Sequence, residues 1–212
     1  MSMTRVILAR HGNTFAAKDR PVWVGSRTDL PLVEKGRMQA EAIGQALHSK
    51  GIVLTGILCG PLQRTRDTAR IAAEQTQLDP RRVVIDDRLK EIDYGEWEGL
   101  TNDEIIASGD GEELAEWNKS ARFPIGRGWK PVEGQVTADV NFILAEMPPA
   151  ATIMIVTSNG ILRFFGGAAV NAKEIGDSKV ATGHVCVMET DSNGDWRVVQ
   201  WNQPPDLLAI KG

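Results

Sequence analysis

Short β-branched and aliphatic runs alternate along this chain with segments of helical periodicity, and that alternation constrains the fold more than any other feature. The runs are Arg5-Val6-Ile7-Leu8-Ala9, Ile52 to Cys59, Val83-Val84-Ile85 and Ala151 to Val156. They are short and nearly uniformly apolar, which suits strands buried on both faces. Between the first two, Gly36, Ala40, Ile43 and Leu47 recur at helical steps and mark one face of a helix from Val33 to His48. Pro61 is placed to open the next helix, where a missing N–H costs nothing, and Leu62, Ala69, Ala72 and Ala73 line it. Val136, Val140, Ile143 and Leu144 mark a further helix, and Ile161 to Val170 another. Such alternation builds a mostly parallel sheet with helices on both faces. Val185 to Glu189 and Trp196 to Trp201 flank Asp191-Ser192-Asn193-Gly194-Asp195, a strong turn signal. The expected fold is therefore an α/β three-layer sandwich ending in a C-terminal antiparallel hairpin.

At 212 residues the chain is expected to form one domain over residues 1–212. Residues 100–132 break the pattern with Gly109, Gly111, Pro124, Gly126, Gly128 and Pro131, and read as an irregular inserted flap. Lys and Arg total 24 against 28 Asp and Glu, a formal charge of −4, so no overall basic field points to nucleic acid or a membrane as partner. An anion site must then be built locally. Cys59 and Cys186 lie in apolar runs and read as buried thiols rather than a disulfide. No run approaches the roughly 18 apolar residues of a membrane span. The first apolar run, Val6 to Ala9, stops at Arg10 and His11 and does not read as a signal peptide, so a cytoplasmic location is expected.

Ligands of open parallel sheets bind beyond the carboxyl ends of the strands. By that rule Arg10, His11 and Thr14, then Arg64, then Glu91, then Ser158 converge on one edge. One histidine, two arginines and one carboxylate suit phosphoryl transfer. A neutral imidazole attacks phosphorus well, and phosphohistidine is labile enough to be hydrolysed next. Arginine forks match phosphoryl oxygens, and their charge keeps a nearby imidazole neutral. A carboxylic acid can protonate the leaving oxygen and later take a proton from water. No metal site is expected, since His11, His48 and His184 fall in no ligand cluster, and no cofactor is implied.

Leu8-Ala9-Arg10-His11-Gly12-Asn13-Thr14 resembles the signature of the histidine phosphatase superfamily, the phosphoglycerate mutase-like proteins. Three later blocks resemble the family in the same order. They are Thr28-Asp29-Leu30-Pro31-Leu32 with Glu34-Lys35-Gly36, then Pro61-Leu62-Gln63-Arg64-Thr65, then Leu89-Lys90-Glu91-Ile92-Asp93-Tyr94-Gly95-Glu96-Trp97-Glu98-Gly99. The resemblance implies His11 as phosphate acceptor, Arg10 and Arg64 as phosphate ligands and Glu91 as general acid. It implies a small phosphorylated metabolite as partner and a phosphomonoesterase activity. The last block is closer to the phosphatase branch than to the mutases. A phosphoglycerate mutase, or a catalytically weak phospho-ligand-binding protein, are the alternatives.

The weak binder is motivated by a departure. The family pattern V-[ST]-H-G-G-[VI]-[IL]-R appears here as Val156-Thr157-Ser158-Asn159-Gly160-Ile161-Leu162-Arg163, with Ser158 in place of the second histidine. A hydroxyl donates one hydrogen bond but carries no charge. His184 begins the strand expected to run antiparallel to the main sheet, so it starts at the active-site edge. Its ring either turns into the pocket and replaces part of the lost charge, or faces solvent. Arg66 reads as a surface charge, and Arg163 as a packing or salt-bridge residue rather than a substrate ligand. Trp97, Trp117 and Trp129 read as core or flap packing. A homodimer is left open by the sequence.

Overall fold

The computed structural model describes residues 3–210. The chain begins with β1 (Arg5–Arg10), α1 (Glu34–Ser49), β2 (Gly56–Cys59), α2 (Gln63–Gln75) and β3 (Val83–Ile85). It continues through α3 (Asn102–Ala107), α4 (Gly111–Ser120), α5 (Glu133–Ala145), β4 (Thr152–Thr157), α6 (Asn159–Gly167), β5 (Val185–Thr190) and β6 (Trp196–Gln203). The six strands form one sheet in the order β3-β2-β4-β1-β5-β6. β3, β2, β4 and β1 are mutually parallel, while β5 runs antiparallel to β1 and β6 antiparallel to β5. Arg10 at the end of β1 is paired with Thr157 at the end of β4, which brings two site-bearing termini side by side at the centre of the sheet.

Strand alternation sorts the core into two layers. Val6, Leu8, Ile153, Ile155, Cys186 and Met188 face the layer that contains Val140 and Ile143 of α5 and Leu162 of α6. Ile7, Ala9, Met154, Val156 and Val187 face Ile43 and Leu47 of α1 and Ala69 and Ala72 of α2. Each such aliphatic side chain fully withdrawn from water contributes roughly 1.5–3 kcal/mol. Covering both faces is what lets β1 and β4 be apolar between their terminal residues. Both cysteines are free and buried, and burial pushes the Cys59 thiol up to about 11 and Cys186 up to about 12.

Three local expectations are corrected. Ile52 and Leu54 are buried but lie in the connection before β2, which begins only at Gly56. Pro61 stands outside α2, whose first residue is Gln63. The Gln63 N–H donates to Asp29 Oδ1 at 2.7 Å, so the Thr28-Asp29 block caps that helix from across the chain. Residues 100–132 are not irregular, because they carry α3 and α4. Thr101 and Glu104 close a reciprocal capping box on α3, with Thr101 N–H donating to Glu104 Oε2 at 2.9 Å. Trp117 of α4 is 1% exposed and packs edge-on to Trp129 at 4.9 Å between ring centroids. Trp23, Tyr94, Trp97 and Phe123 complete this aromatic cluster, so the segment is anchored in the core rather than resting on it. Among the described residues no helix is long and apolar enough to cross a membrane.

Candidate active site

His11 follows β1 directly and is 6% exposed. Its backbone N–H donates to the Thr157 carbonyl at 3.0 Å, which fixes the chain to the end of β4. The ring Nδ1 lies 2.8 Å from the Gly12 carbonyl. A carbonyl only accepts, so Nδ1 carries the proton and Nε2 presents its lone pair. The loop can take this path because Gly12 meets Gly36 with no side chain between them. A Cβ on either glycine would fall inside the backbone of the other segment. This contact explains why a glycine follows the histidine and why another lies in the first turn of α1.

Two guanidiniums flank the ring, that of Arg64 buried and that of Arg10 partly so. Arg10 donates through Nη1 to the Val180 carbonyl at 2.6 Å, and its Nε is buried without a hydrogen-bond partner. Arg64, 1% exposed, donates to the Thr28 carbonyl at 2.8 Å and the Gly25 carbonyl at 3.1 Å. Neither arginine has a carboxylate within ion-pair distance among the described residues, and both guanidiniums are held by backbone carbonyls. Burial, then the charges of Arg10 and Arg64, hold the His11 imidazole well below its usual proton affinity, so it is neutral at ordinary pH. Arg66 is exposed, as expected of a surface charge.

Glu91 is 6% exposed. Its carboxyl oxygens accept the Ile92 N–H at 2.9 Å and the Gly160 N–H at 3.3 Å, and Tyr94 hydrogen-bonds it through its hydroxyl. These bonds and Arg64 favour the carboxylate, but burial outweighs them and pushes the group above the usual carboxylate range. Tyr94 in turn is driven well above the ordinary phenol range, chiefly by burial, and remains a donor.

Arg10, His11, Thr14, Arg64 and Glu91 all line one cavity of about 700 Å³. These five, expected from the ends of β1, β2 and β3, are brought together, whereas Ser158, expected from the end of β4, is not among the residues lining the cavity. Ser158 is fully buried at the end of β4, and its hydroxyl has no hydrogen-bond partner. His184 does not turn into the cavity. Its Nδ1 lies 3.0 Å from the Asn202 carboxamide oxygen and 3.2 Å from the Asn202 carbonyl. Asn202 adopts a left-handed conformation with φ 50°, and the β5–β6 register slips between Val185 and Met188. That irregularity brings the Asn202 carboxamide against the ring and holds it on the β6 side. What faces the cavity from this segment is Thr182.

Two participants were not singled out from the sequence. Tyr94 lay inside the Glu91 block, and its hydroxyl could have been read there as a carboxyl partner. Gly160 lay beside Ser158. A Cβ there would stand 2.5 Å from the Tyr94 hydroxyl and 2.9 Å from Ile92 Cδ1, and closer still to Glu91 Oε1.

Residues 6–204 match the family model described as histidine phosphatase superfamily (branch 1). A protein named probable phosphoglycerate mutase GpmB, from Cronobacter sakazakii, is 31% identical over 157 residues, covering 73% of this chain and 69% of that one. Among solved structures, one titled mycobacterial hydrolase 2 superposes with a TM-score of 0.77 at 26% identity, covering 96% of this chain and 92% of that one. A mycobacterial glucosyl-3-phosphoglycerate phosphatase superposes with a TM-score of 0.74 at 25% identity, covering 94% of this chain and 99% of that one.

Proposed function

The chain belongs to the histidine phosphatase superfamily, and from that premise we propose that it is a metal-independent phosphomonoesterase acting on a small phosphorylated metabolite through phospho-His11. One observation carries the reading: the His11 ring has its proton on Nδ1, a free Nε2 and two guanidiniums beside it. Nε2 attacks phosphorus opposite the ester oxygen, so the N–P bond forms as the P–O bond breaks. Arg10 and Arg64 are already held by carbonyls, and their remaining N–H groups stabilise the charge on the phosphoryl oxygens without reorganisation. Glu91, whose burial favours the protonated form, gives its proton to the leaving alkoxide and becomes a carboxylate. Water then attacks phospho-His11, Glu91 takes the proton of that water, and inorganic phosphate departs with Nε2 restored. Thr14 adds a hydroxyl at the cavity wall. Ser158, fully buried and outside the cavity lining, would reach the phosphoryl group as a neutral donor only through a shift of the β4 end, one residue beyond Thr157, whose carbonyl holds His11.

A second reading, transfer between positions of a phosphoglycerate, is favoured by the name of the 31% identical relative. The two separate on product analysis. Incubation with a panel of phosphomonoesters, including 3-phosphoglycerate, should release inorganic phosphate in amounts equal to the ester consumed. Conversion of 3-phosphoglycerate to its isomer without phosphate release would establish the mutase instead, and absence of both would leave a binding protein.

A further inference from the structure

A second cavity of about 450 Å³ adjoins the first and shares Arg10 and Glu91 with it. Away from the phosphoryl site it is lined by Arg163, Lys179, Asn118 and Asn102. Arg163 projects from α6, is 3% exposed, and stacks on the Trp117 ring with its guanidinium carbon 5.2 Å from the centroid. Its Nη1 donates to the Asn118 carbonyl at 3.1 Å, the Ser178 hydroxyl at 2.8 Å and, more distantly, the Trp117 carbonyl at 3.4 Å. Its Nε is buried without a partner. Among the described residues no carboxylate lies within ion-pair distance of Arg163 or of Lys179. The salt bridge that sequence reading allowed for Arg163 is therefore absent.

Leaving a cation buried without a counter-charge costs several kcal/mol unless something else supplies the charge. The nearest acids, Asp177 and Glu91, act on Arg163 only from beyond ion-pair distance. Asp177 is exposed to solvent and accepts only the backbone N–H of Lys179 at 2.8 Å, and Asp103 stands exposed on α3 at the outer wall. We propose that this cavity is a subsite for a second oxyanion on the substrate, so that the enzyme selects phosphomonoesters whose alcohol portion carries a carboxylate or a further phosphate. This rests on the phosphomonoesterase reading and narrows its substrate class. Arg163 would take the oxyanion through the N–H groups not committed to carbonyls, and Lys179, exposed at the rim, would add a mobile charge. The fit is chemical as well as electrostatic. Trp117 and the carbonyls hold the guanidinium plane fixed, so a planar or tetrahedral oxyanion meets it preorganised.

Binding, rather than turnover, tests this directly, because phosphonates bind without being hydrolysed. Calorimetry on the full chain would compare butylphosphonate with 4-phosphonobutyrate and with butane-1,4-bisphosphonate. The second anionic group should tighten binding roughly 10- to 100-fold, the range of a charge-assisted hydrogen bond. The stronger of the two tailed ligands identifies the oxyanion. Arg163→Met should reduce the advantage to a few-fold, and Lys179→Met should reduce it partly. If Arg163→Met fails to fold, Asn118→Asp on the exposed wall serves in its place, since a carboxylate there repels the ligand or neutralises the guanidinium. Equal binding of tailed and untailed phosphonates, or an advantage that survives these substitutions, overturns the subsite. A tail advantage without any ester hydrolysis would keep the subsite and overturn the phosphomonoesterase reading. Hydrolysis of p-nitrophenyl phosphate without a tail advantage would do the reverse.

Discussion

Adding one methyl group at Gly160 should disable the proton donor without altering its chemistry. The Cβ of Gly160→Ala would stand 2.5 Å from the Tyr94 hydroxyl and 2.9 Å from Ile92 Cδ1, with the Glu91 carboxyl nearer than either. Tyr94 and Ile92 are both in the buried aromatic and aliphatic layer and have little room to yield. The carboxyl is the most mobile of the three groups, so it should move by about 1 Å, a misplacement worth roughly 100-fold in rate. That corresponds to about 2.7 kcal/mol of lost transition-state stabilisation. The substitution should also cost about 1–3 kcal/mol of stability through overpacking, visible as a lower melting temperature. The loss in rate should depend on the leaving group. An alkyl phosphate needs its oxygen protonated and should lose the full factor in kcat/KM. p-Nitrophenyl phosphate departs as a stabilised anion and should lose less than about tenfold. Steady-state kinetics on both esters, beside a melting curve, decides the matter. Equal losses on the two esters, or no loss on either, would refute the role given to Glu91 and to the glycine that makes room for it.

Arg64→Ala should lower kcat/KM by roughly 10²–10³-fold, the effect of removing one preorganised donor, whereas Arg66→Ala two residues on should be close to silent. A larger loss at Arg66 would contradict the helix face assigned to α2. The pH profile of kcat/KM for an alkyl phosphate should be bell-shaped. Its acid limb reports His11, which must be neutral and whose proton affinity is held below the usual 6.5, so activity is lost as pH falls through that lowered value. Its alkaline limb reports Glu91, which must be protonated and is raised above the usual 4.5, so activity is lost as pH rises through that raised value. Glu91→Gln should abolish the alkaline limb, and persistence of that limb in the variant would assign it to another group.

The parts legible in the sequence are those fixed by local pattern or by covalent neighbourhood. β1 and β4 are apolar between their terminal residues because both of their faces are covered. Arg10, His11, Arg64 and Glu91 follow strand ends or sit at a helix start, and parallel topology alone gathers such positions on one edge. Where the outcome depended on tertiary partners, the pattern misled. Ile52 and Leu54 form an apolar run that period alone cannot separate from a strand. Gly109, Gly126 and Gly128 have positive φ and fall outside the helices of the 100–132 segment, the first just after α3 and the others after α4, and so masked both helices. The Thr101 to Glu104 capping box was the available signal for α3. The side to which the His184 ring turns was decided by a slip in the β5–β6 ladder and by Asn202, neither of which is written in residue order. Likewise, a helical arginine such as Arg163 reads as a packing or salt-bridge residue, and only the structure separates the two, with packing on Trp117 present and no acid within ion-pair distance.

The central claim is that the phosphoryl group passes through a covalent bond to His11. Rapid quench of the enzyme with a 32P-labelled alkyl or aryl phosphate tests it most directly. The account predicts protein-bound label that is labile in acid and stable in base, located by peptide mapping to His11, and absent in His11→Ala together with essentially all turnover. Undiminished turnover in His11→Ala, or base-labile label on another side chain, would contradict it.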